Sequence, residues 1–253
     1  MSVIANLSDA AATMAVSEEL TPLPMLKQPG ITTINLDGQL DGNNNEPLRL
    51  HEDVRAGCGG QTWPAGLVLA KNMLRYHRHE LGDARILELG AGGGLVGLAV
   101  ALGCMSITAA STATKGSILL TDQQEMLGLM QRNIQLNDVG DKVTALELNW
   151  GQDLPEAVVR QRPNVVLAAD CVYLETAFPL LVRTLQDVLA LNDEAVVYFC
   201  FKKRRRADMK FVKMANKAFL VQELFDEDRP LFQRQSLFLF SLRRKPDGMR
   251  AGA

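Results

Sequence analysis

The stretch Ile86–Leu95, reading ILELGAGGGL, constrains this chain more than any other. A short apolar run passes straight into Gly90, Gly92, Gly93 and Gly94, and an apolar helical pattern over Leu95–Leu102 follows at once. Glycines directly after a strand let the backbone turn sharply and approach a ligand, while the helix behind them presents free N–H groups. Gly92, Gly94 and Gly97 even match the G-x-G-x-x-G spacing of dinucleotide-binding turns. The strand ends near Leu89, however, so the tight turn starts at Gly90, and a fingerprint counted from there needs glycine where Leu95 stands. Glu88, just ahead of the turn, also puts a carboxylate where a pyrophosphate would be repelled. A cationic or uncharged ligand suits this turn better.

Around it, strands and helices alternate. Strands are expected at Ala84–Leu89, Ser117–Thr121, Lys142–Leu148, Val165–Ala169 and Ala195–Phe201, with helices at Leu95–Leu102, Gln123–Leu136, Glu175–Leu189 and 207–218. Such alternation with short apolar strands means a parallel sheet covered on both faces. Two closing strands, Phe219–Leu224 and Ser236–Leu242, lack a helical pattern between them and should pair antiparallel at one edge. Ahead of the sheet, a helix should begin at Trp63-Pro64, because proline suits a first turn. Two alternating segments, Ile31–Asp37 and Leu48–Val54, read as a hairpin. The expected layout is a disordered tail over 1–30, a hairpin extension over 31–56, one catalytic domain over 57–244 and a short tail over 245–253. The link from Gly103 to Gly116 is longer than usual and reads as a surface insertion.

Three further features carry chemistry. Asp122 ends the second strand of the sheet, where an acidic residue accepts a ribose diol; it also directly precedes a helix and could cap it. Asp170 follows the fourth strand, at the end of an open α/β sheet where ligands bind. Lys202–Arg206 is an unbroken cationic run, either a solvated loop and helix start or a docking edge for an acidic partner. Asn133 and Asn137, on the helix after Asp122, read as structural.

Composition closes off several classes. The chain has 253 residues, and its 27 Lys+Arg against 29 Asp+Glu leave a formal net charge of −2, so nothing global draws it to nucleic acid or an anionic membrane. Cys58, Cys104, Cys171 and Cys200 are far apart and form no CxxC, which suggests no metal site, no disulfide framework and a reduced compartment. The first 20 residues hold no Lys or Arg, so the charged start of a signal peptide is missing. Six of the 17 residues in the apolar window Leu89–Met105 are glycine, which fits a turn and packed helix rather than a membrane span. The expectation is a cytoplasmic protein.

Taken in order, these motifs resemble a known family. Glu88-Leu-Gly-Ala-Gly, Asp122, and Asp170-Cys-Val-Tyr after the fourth strand look like the class I, seven-strand S-adenosylmethionine-dependent methyltransferases. The segment from Gly60 (GQTWPAG), that from Leu148 (LNWG), that from Ala168 (AADCVYLE) and the closing FLF at Phe238 resemble the protein-lysine branch. The basic stretch from Phe201 (FKKRRRADMK) is most similar to members that methylate translation elongation factor 1-alpha. The resemblance implies a Rossmann-like, seven-stranded, mostly parallel sheet with helices on both faces and an antiparallel C-terminal pair. It implies S-adenosyl-L-methionine as cofactor, a protein substrate, no stable nucleic-acid partner and a monomer.

Site residues follow from the same resemblance. Trp63 matches a tryptophan lining the cofactor pocket, Gly90, Ala91 and Gly92 the turn against the cofactor's methionine part, and Glu88 the acid near its amino group. Asp122 matches the ribose ligand, Trp150 the aromatic beside the adenine, and Ala169 a small residue packed close to the cofactor. Asp170 and Tyr173 match the signature facing the target lysine. Two other readings compete. A nucleic-acid methyltransferase often carries Asn/Asp-Pro-Pro-Tyr where this chain has Asp170-Cys-Val-Tyr, and a dinucleotide-binding module would need the displaced glycine fingerprint.

Overall fold

A computed structural model describes residues 29–40, 47–105 and 116–246. The chain opens with an antiparallel ribbon of β1 (Gly30–Ile34) and β2 (Leu48–Glu52). Helix α1 (Pro64–Tyr76), short α2 (Arg78–Leu81), β3 (Arg85–Leu89), α3 (Leu95–Gly103), β4 (Ser117–Asp122), α4 (Leu127–Leu136) and β5 (Val143–Glu147) follow. The second half contains α5 (Glu156–Gln161), β6 (Val165–Ala169), α6 (Phe178–Ala190), β7 (Val196–Lys202), α7 (Asp208–Ala218), β8 (Phe219–Glu223), α8 (Arg229–Arg234) and β9 (Leu237–Arg244).

Seven strands form one sheet in the order β5-β4-β3-β6-β7-β9-β8. The first five are parallel, and β9 runs antiparallel between β7 and β8. Because strand side chains alternate between faces, each central strand feeds two cores. Ile86, Leu167 and Tyr198 pack on the side of α1, α3 and α4, whereas Leu87, Val166 and Phe199 pack on the side of α6 and α7. Helix α6 shows why it docks there: Phe178, Leu181, Val182, Leu185, Val188 and Leu189 recur at helical spacing and are all buried.

The alternation expected from the sequence is present, with differences of detail, among them the short α2, which was not expected. Helix α8 lies between the two closing strands, which nevertheless pair antiparallel as expected. The helices expected from Gln123 and Glu175 each open with a 3-10 turn, Gln124–Met126 and Glu175–Ala177. Short α5 follows Pro155, where no helix was expected. Most of the Gly103–Gly116 link (106–115), most of the N-terminal tail (1–28), the hairpin's turn (41–46) and 247–253 lie outside the described residues.

The ribbon is bound to the sheet domain by Asn133 of α4 and by Asn137, which follows its last residue. Asn137 takes the Arg49 N–H at 3.0 Å and donates to the Arg49 carbonyl at 2.7 Å. Asn133 takes the His51 N–H at 2.7 Å and donates to His51 O at 3.2 Å and to Gly93 O at 2.8 Å. One buried amide therefore links β2, α4 and the glycine turn.

Candidate active site

The C-terminal ends of β3, β4 and β6 open into a cavity of about 780 Å³, and every site residue named from the sequence lines it. The glycine turn forms its floor. Gly90 and Gly92 have φ of 61° and 56°, in the left-handed region that side chains disfavour. A Cβ on Gly92 would stand 2.7 Å from the carbonyl oxygen of Gly59, so this turn also needs glycine to let the loop at Cys58–Gly60 lie against it.

Neighbouring strands hold the turn in place. Asp122 Oδ2 accepts the Gly92 N–H at 2.8 Å, and its Oδ1 accepts the Gln123 N–H at 2.7 Å. The Ala91 N–H donates to Thr121 O at 3.0 Å, and the Thr121 hydroxyl donates to Glu88 O at 2.6 Å. Burial raises the Asp122 carboxyl above its ordinary value, with the two N–H donors opposing the shift. Glu88 is almost completely buried and accepts the Gly97 N–H at 2.7 Å, which joins the end of β3 to the first turn of α3. Burial pushes this carboxyl up to about 8, against the pull of the N–H groups. The glutamate therefore carries an internal bond as well as a face on the cavity.

The two tryptophans bound the cavity. Trp150 packs its ring against Gly90, where a Cβ would come within 3.0 Å of it. Trp63, directly ahead of the Pro64 that opens α1, donates its indole N–H to Cys58 O at 2.8 Å. Ala169, the last residue of β6, leaves room beside the turn.

Asp170 has a left-handed backbone, φ 58°, and its N–H donates to Cys200 O at 2.8 Å, continuing the ladder from β6 to β7. Its carboxylate is bound on both oxygens: Arg204 donates to Oδ1 at 2.9 Å and to Oδ2 at 2.6 Å, and the Lys202 N–H adds a bond to Oδ1 at 3.1 Å. The Arg204 guanidinium lies 5.1 Å above the Trp63 ring. Tyr173 stands half-exposed at the mouth, with Leu174 exposed beside it. Partial burial raises the Tyr173 phenol above its ordinary value.

Two cations of the basic run have side-chain partners within the domain. Arg204 is committed to Asp170, and Arg205 to Asp208 and the carbonyl of Tyr173. Against its desolvation, the N–H groups of Arg204 and Arg205 and the Arg205 side chain hold the Asp208 carboxyl below its ordinary value. Sequence reasoning also passed over His51, which lines the cavity from β2 with its Nδ1 buried and unpartnered. It sits far ahead of the turn, and the Asn133 bridge holds it there.

Comparison with known proteins agrees with this geometry. Residues 42–218 match the model of the lysine methyltransferase family. The chain belongs to that family, and within it to the protein-lysine N-methyltransferases. Protein-lysine N-methyltransferase EFM6 of Saccharomyces cerevisiae is 37% identical over 217 residues, covering 78% of this chain and 86% of the relative. Protein N-lysine methyltransferase METTL21A of Danio rerio is 32% identical, covering 74% and 81%. The solved structure of the mitomycin 7-O-methyltransferase MmcR is 15% identical, with TM-score 0.49, covering 72% of this chain and 53% of that one. The chain is thus an S-adenosyl-L-methionine-dependent lysine methyltransferase. The residues suit that cofactor: the cradle at Gly90 and Gly92 has little space for a Cβ, and two carboxyl groups, Glu88 and Asp122, line the cavity beside it.

Proposed function

We propose that this enzyme methylates the ε-amine of a lysine in translation elongation factor 1-alpha, acting as a monomer in the cytoplasm. The observation that carries the reading is the convergence of the glycine turn, Asp122, Asp170 and Tyr173 on one cavity. The likeness of the stretch at Phe201 to elongation-factor methylating enzymes supports the narrower substrate. Among the described residues no helix is long and apolar enough to cross a membrane.

Roles then follow for each residue. Gly90, Ala91 and Gly92 hold the methionine part of the cofactor, Glu88 faces its amino group, and Asp122 accepts the ribose. Trp150 packs beside the adenine, Ala169 keeps space open, and Trp63 lines the cofactor pocket. When bound, S-adenosylmethionine supplies a methyl group on a sulfonium, open to in-line attack by an amine. The lysine must arrive neutral. With an ordinary pKa near ~10.4, deprotonation at pH 7 costs roughly 4–5 kcal/mol. The Tyr173 ring narrows the approach and strips water from the amine, which lowers that cost. Asp170 orients the amine at the end of β6, so that alignment supplies much of the acceleration.

The test is labelling in cell extract with isotopic S-adenosylmethionine, using the wild type and Asp170→Ala. Label on a lysine of elongation factor 1-alpha, lost in the variant while cofactor affinity holds, is the expected result. Label confined to RNA, or near-normal transfer by the variant, overturns the reading.

A further inference from the structure

The one cation of the basic run that reaches the cavity is Arg204, and the placement follows from strand register. Ala169 pairs with Cys200 across β6 and β7, so Asp170, just past β6, and Lys202–Arg204, at and beyond the end of β7, emerge side by side. The Asp170 side chain is only 4% exposed, yet it carries a carboxylate whose two oxygens both meet the guanidinium. Arginine suits this post because its planar fork binds a carboxylate through two donors and its face stacks on an aromatic ring. Lysine would offer a point charge and neither contact.

We propose that Arg204 is a positioning residue of the methyl-transfer site: clamped between Asp170 and Trp63, it neutralises Asp170 so that the target lysine is accepted as a neutral amine and not held as an ammonium. This rests on the function proposed above. A free carboxylate facing the lysine would stabilise the ammonium form and keep the lone pair occupied. With both oxygens engaged, Asp170 aligns the nitrogen without capturing its proton. The Asp170 pairing in turn raises the Arg204 guanidinium above its ordinary value, so its charge persists at every working pH.

Other ionisable groups face this corner. Asp208 of α7 accepts the Arg204 N–H at 2.8 Å, Arg205 donates to the Tyr173 carbonyl, Cys200 adjoins Asp170 on β7, and Cys171 and Tyr173 follow Asp170 in the chain. Glu88, Asp122, His51 and Glu125 also line the cavity, and Cys58 lies beside Trp63, whose indole N–H its carbonyl accepts at 2.8 Å. No side chain among these is bonded to Asp170, so in variants of Arg204 the carboxylate keeps only the Lys202 N–H at 3.1 Å and its charge faces the incoming amine without a cation.

The experiment measures kcat/KM from pH 6 to 10 for wild type, R204M, R204Q and R204K, with a peptide carrying the lysine identified by extract labelling. Peptide binding is compared with that of a norleucine counterpart at pH 7. Titration with S-adenosylhomocysteine confirms that each variant is folded, and R204Q, which can still hydrogen-bond Asp170, serves if R204M does not fold. The acidic limb should move up by a pH unit or more in the neutral variants, with a tenfold or larger loss at pH 7 that narrows towards pH 9.5. Their preference for lysine over norleucine peptide should rise tenfold, while R204K keeps the wild-type limb with a lower kcat. A uniform loss at all pH values with an unmoved limb and unchanged peptide preference overturns the role of Arg204. If the wild type binds S-adenosylhomocysteine but labels no lysine, the proposed function fails instead.

Discussion

The carboxylate of Asp122 accepts the N–H of Gly92 at 2.8 Å, so the tip of β4 fixes the turn that leaves β3. The acid proposed as the ribose ligand thus also builds the floor of the cavity. Removing it should damage both. Asp122→Ala is expected to lower S-adenosylhomocysteine affinity by at least tenfold and, with the Gly92 donor orphaned, to cost about 1–3 kcal/mol of stability. Calorimetry and urea unfolding would check the two effects separately.

Glu88 should give the enzyme a pH-dependent stability of unusual sign. Its folded pKa of about 8 lies above the ordinary 4.5, so the folded protein keeps a proton that the unfolded chain releases. The stabilisation is complete below the ordinary value and is lost as pH rises through about 8. Glu88→Gln keeps an acceptor for Gly97 and removes the titration. Urea unfolding between pH 5 and 8.5 should show the wild type losing stability relative to Gln by on the order of 3–5 kcal/mol. A constant difference across that range would exclude Glu88 as the source.

Gly92→Ala combines a left-handed backbone with a contact of 2.7 Å to the Gly59 carbonyl. The backbone contribution alone is about 1–2 kcal/mol, and overpacking adds about 1–3 kcal/mol. A lower melting temperature and weakened cofactor binding are expected together, because the loop at Cys58–Gly60 must shift.

Asn133→Ala deletes a fully buried amide that makes three hydrogen bonds across β2, α4 and Gly93. Leaving buried backbone groups unpaired should cost about 2–4 kcal/mol. Hydrogen exchange should speed up at His51 before it does so in the central strands.

Tyr173 tests the substrate side. Tyr173→Phe keeps the ring at the mouth and should stay within a few-fold of wild-type kcat/KM on a lysine peptide. Tyr173→Ala should lose tenfold or more with little change in S-adenosylhomocysteine affinity.

What the sequence made legible was local. Gly90–Gly94, Asp122 and Asp170 stand at the ends of apolar strands, so strand length and turn chemistry alone were enough to put them on one edge. The pairing of Asp170 with Arg204 was hidden because it spans 34 positions and depends on the register Ala169 to Cys200, which no short pattern encodes. In the sequence Arg204 looked like one of five equivalent cations; the fold makes it different by pointing it at a buried acid. His51 was equally hidden, since the amide that positions it lies 82 residues downstream. Helix α5 was missed because its six residues are too few to display a period.

The β1–β2 ribbon has a practical consequence for anyone shortening the protein. Read as an extension ahead of a catalytic domain, it invites removal up to residue 57. Yet β2 supplies His51 to the cavity wall, and Glu52 accepts the Thr62 N–H at 2.7 Å, one residue before Trp63. A version trimmed at 57 would retain all the motif residues and lose the surface that seats them, so a failure to bind cofactor there would reflect the cut rather than the motifs.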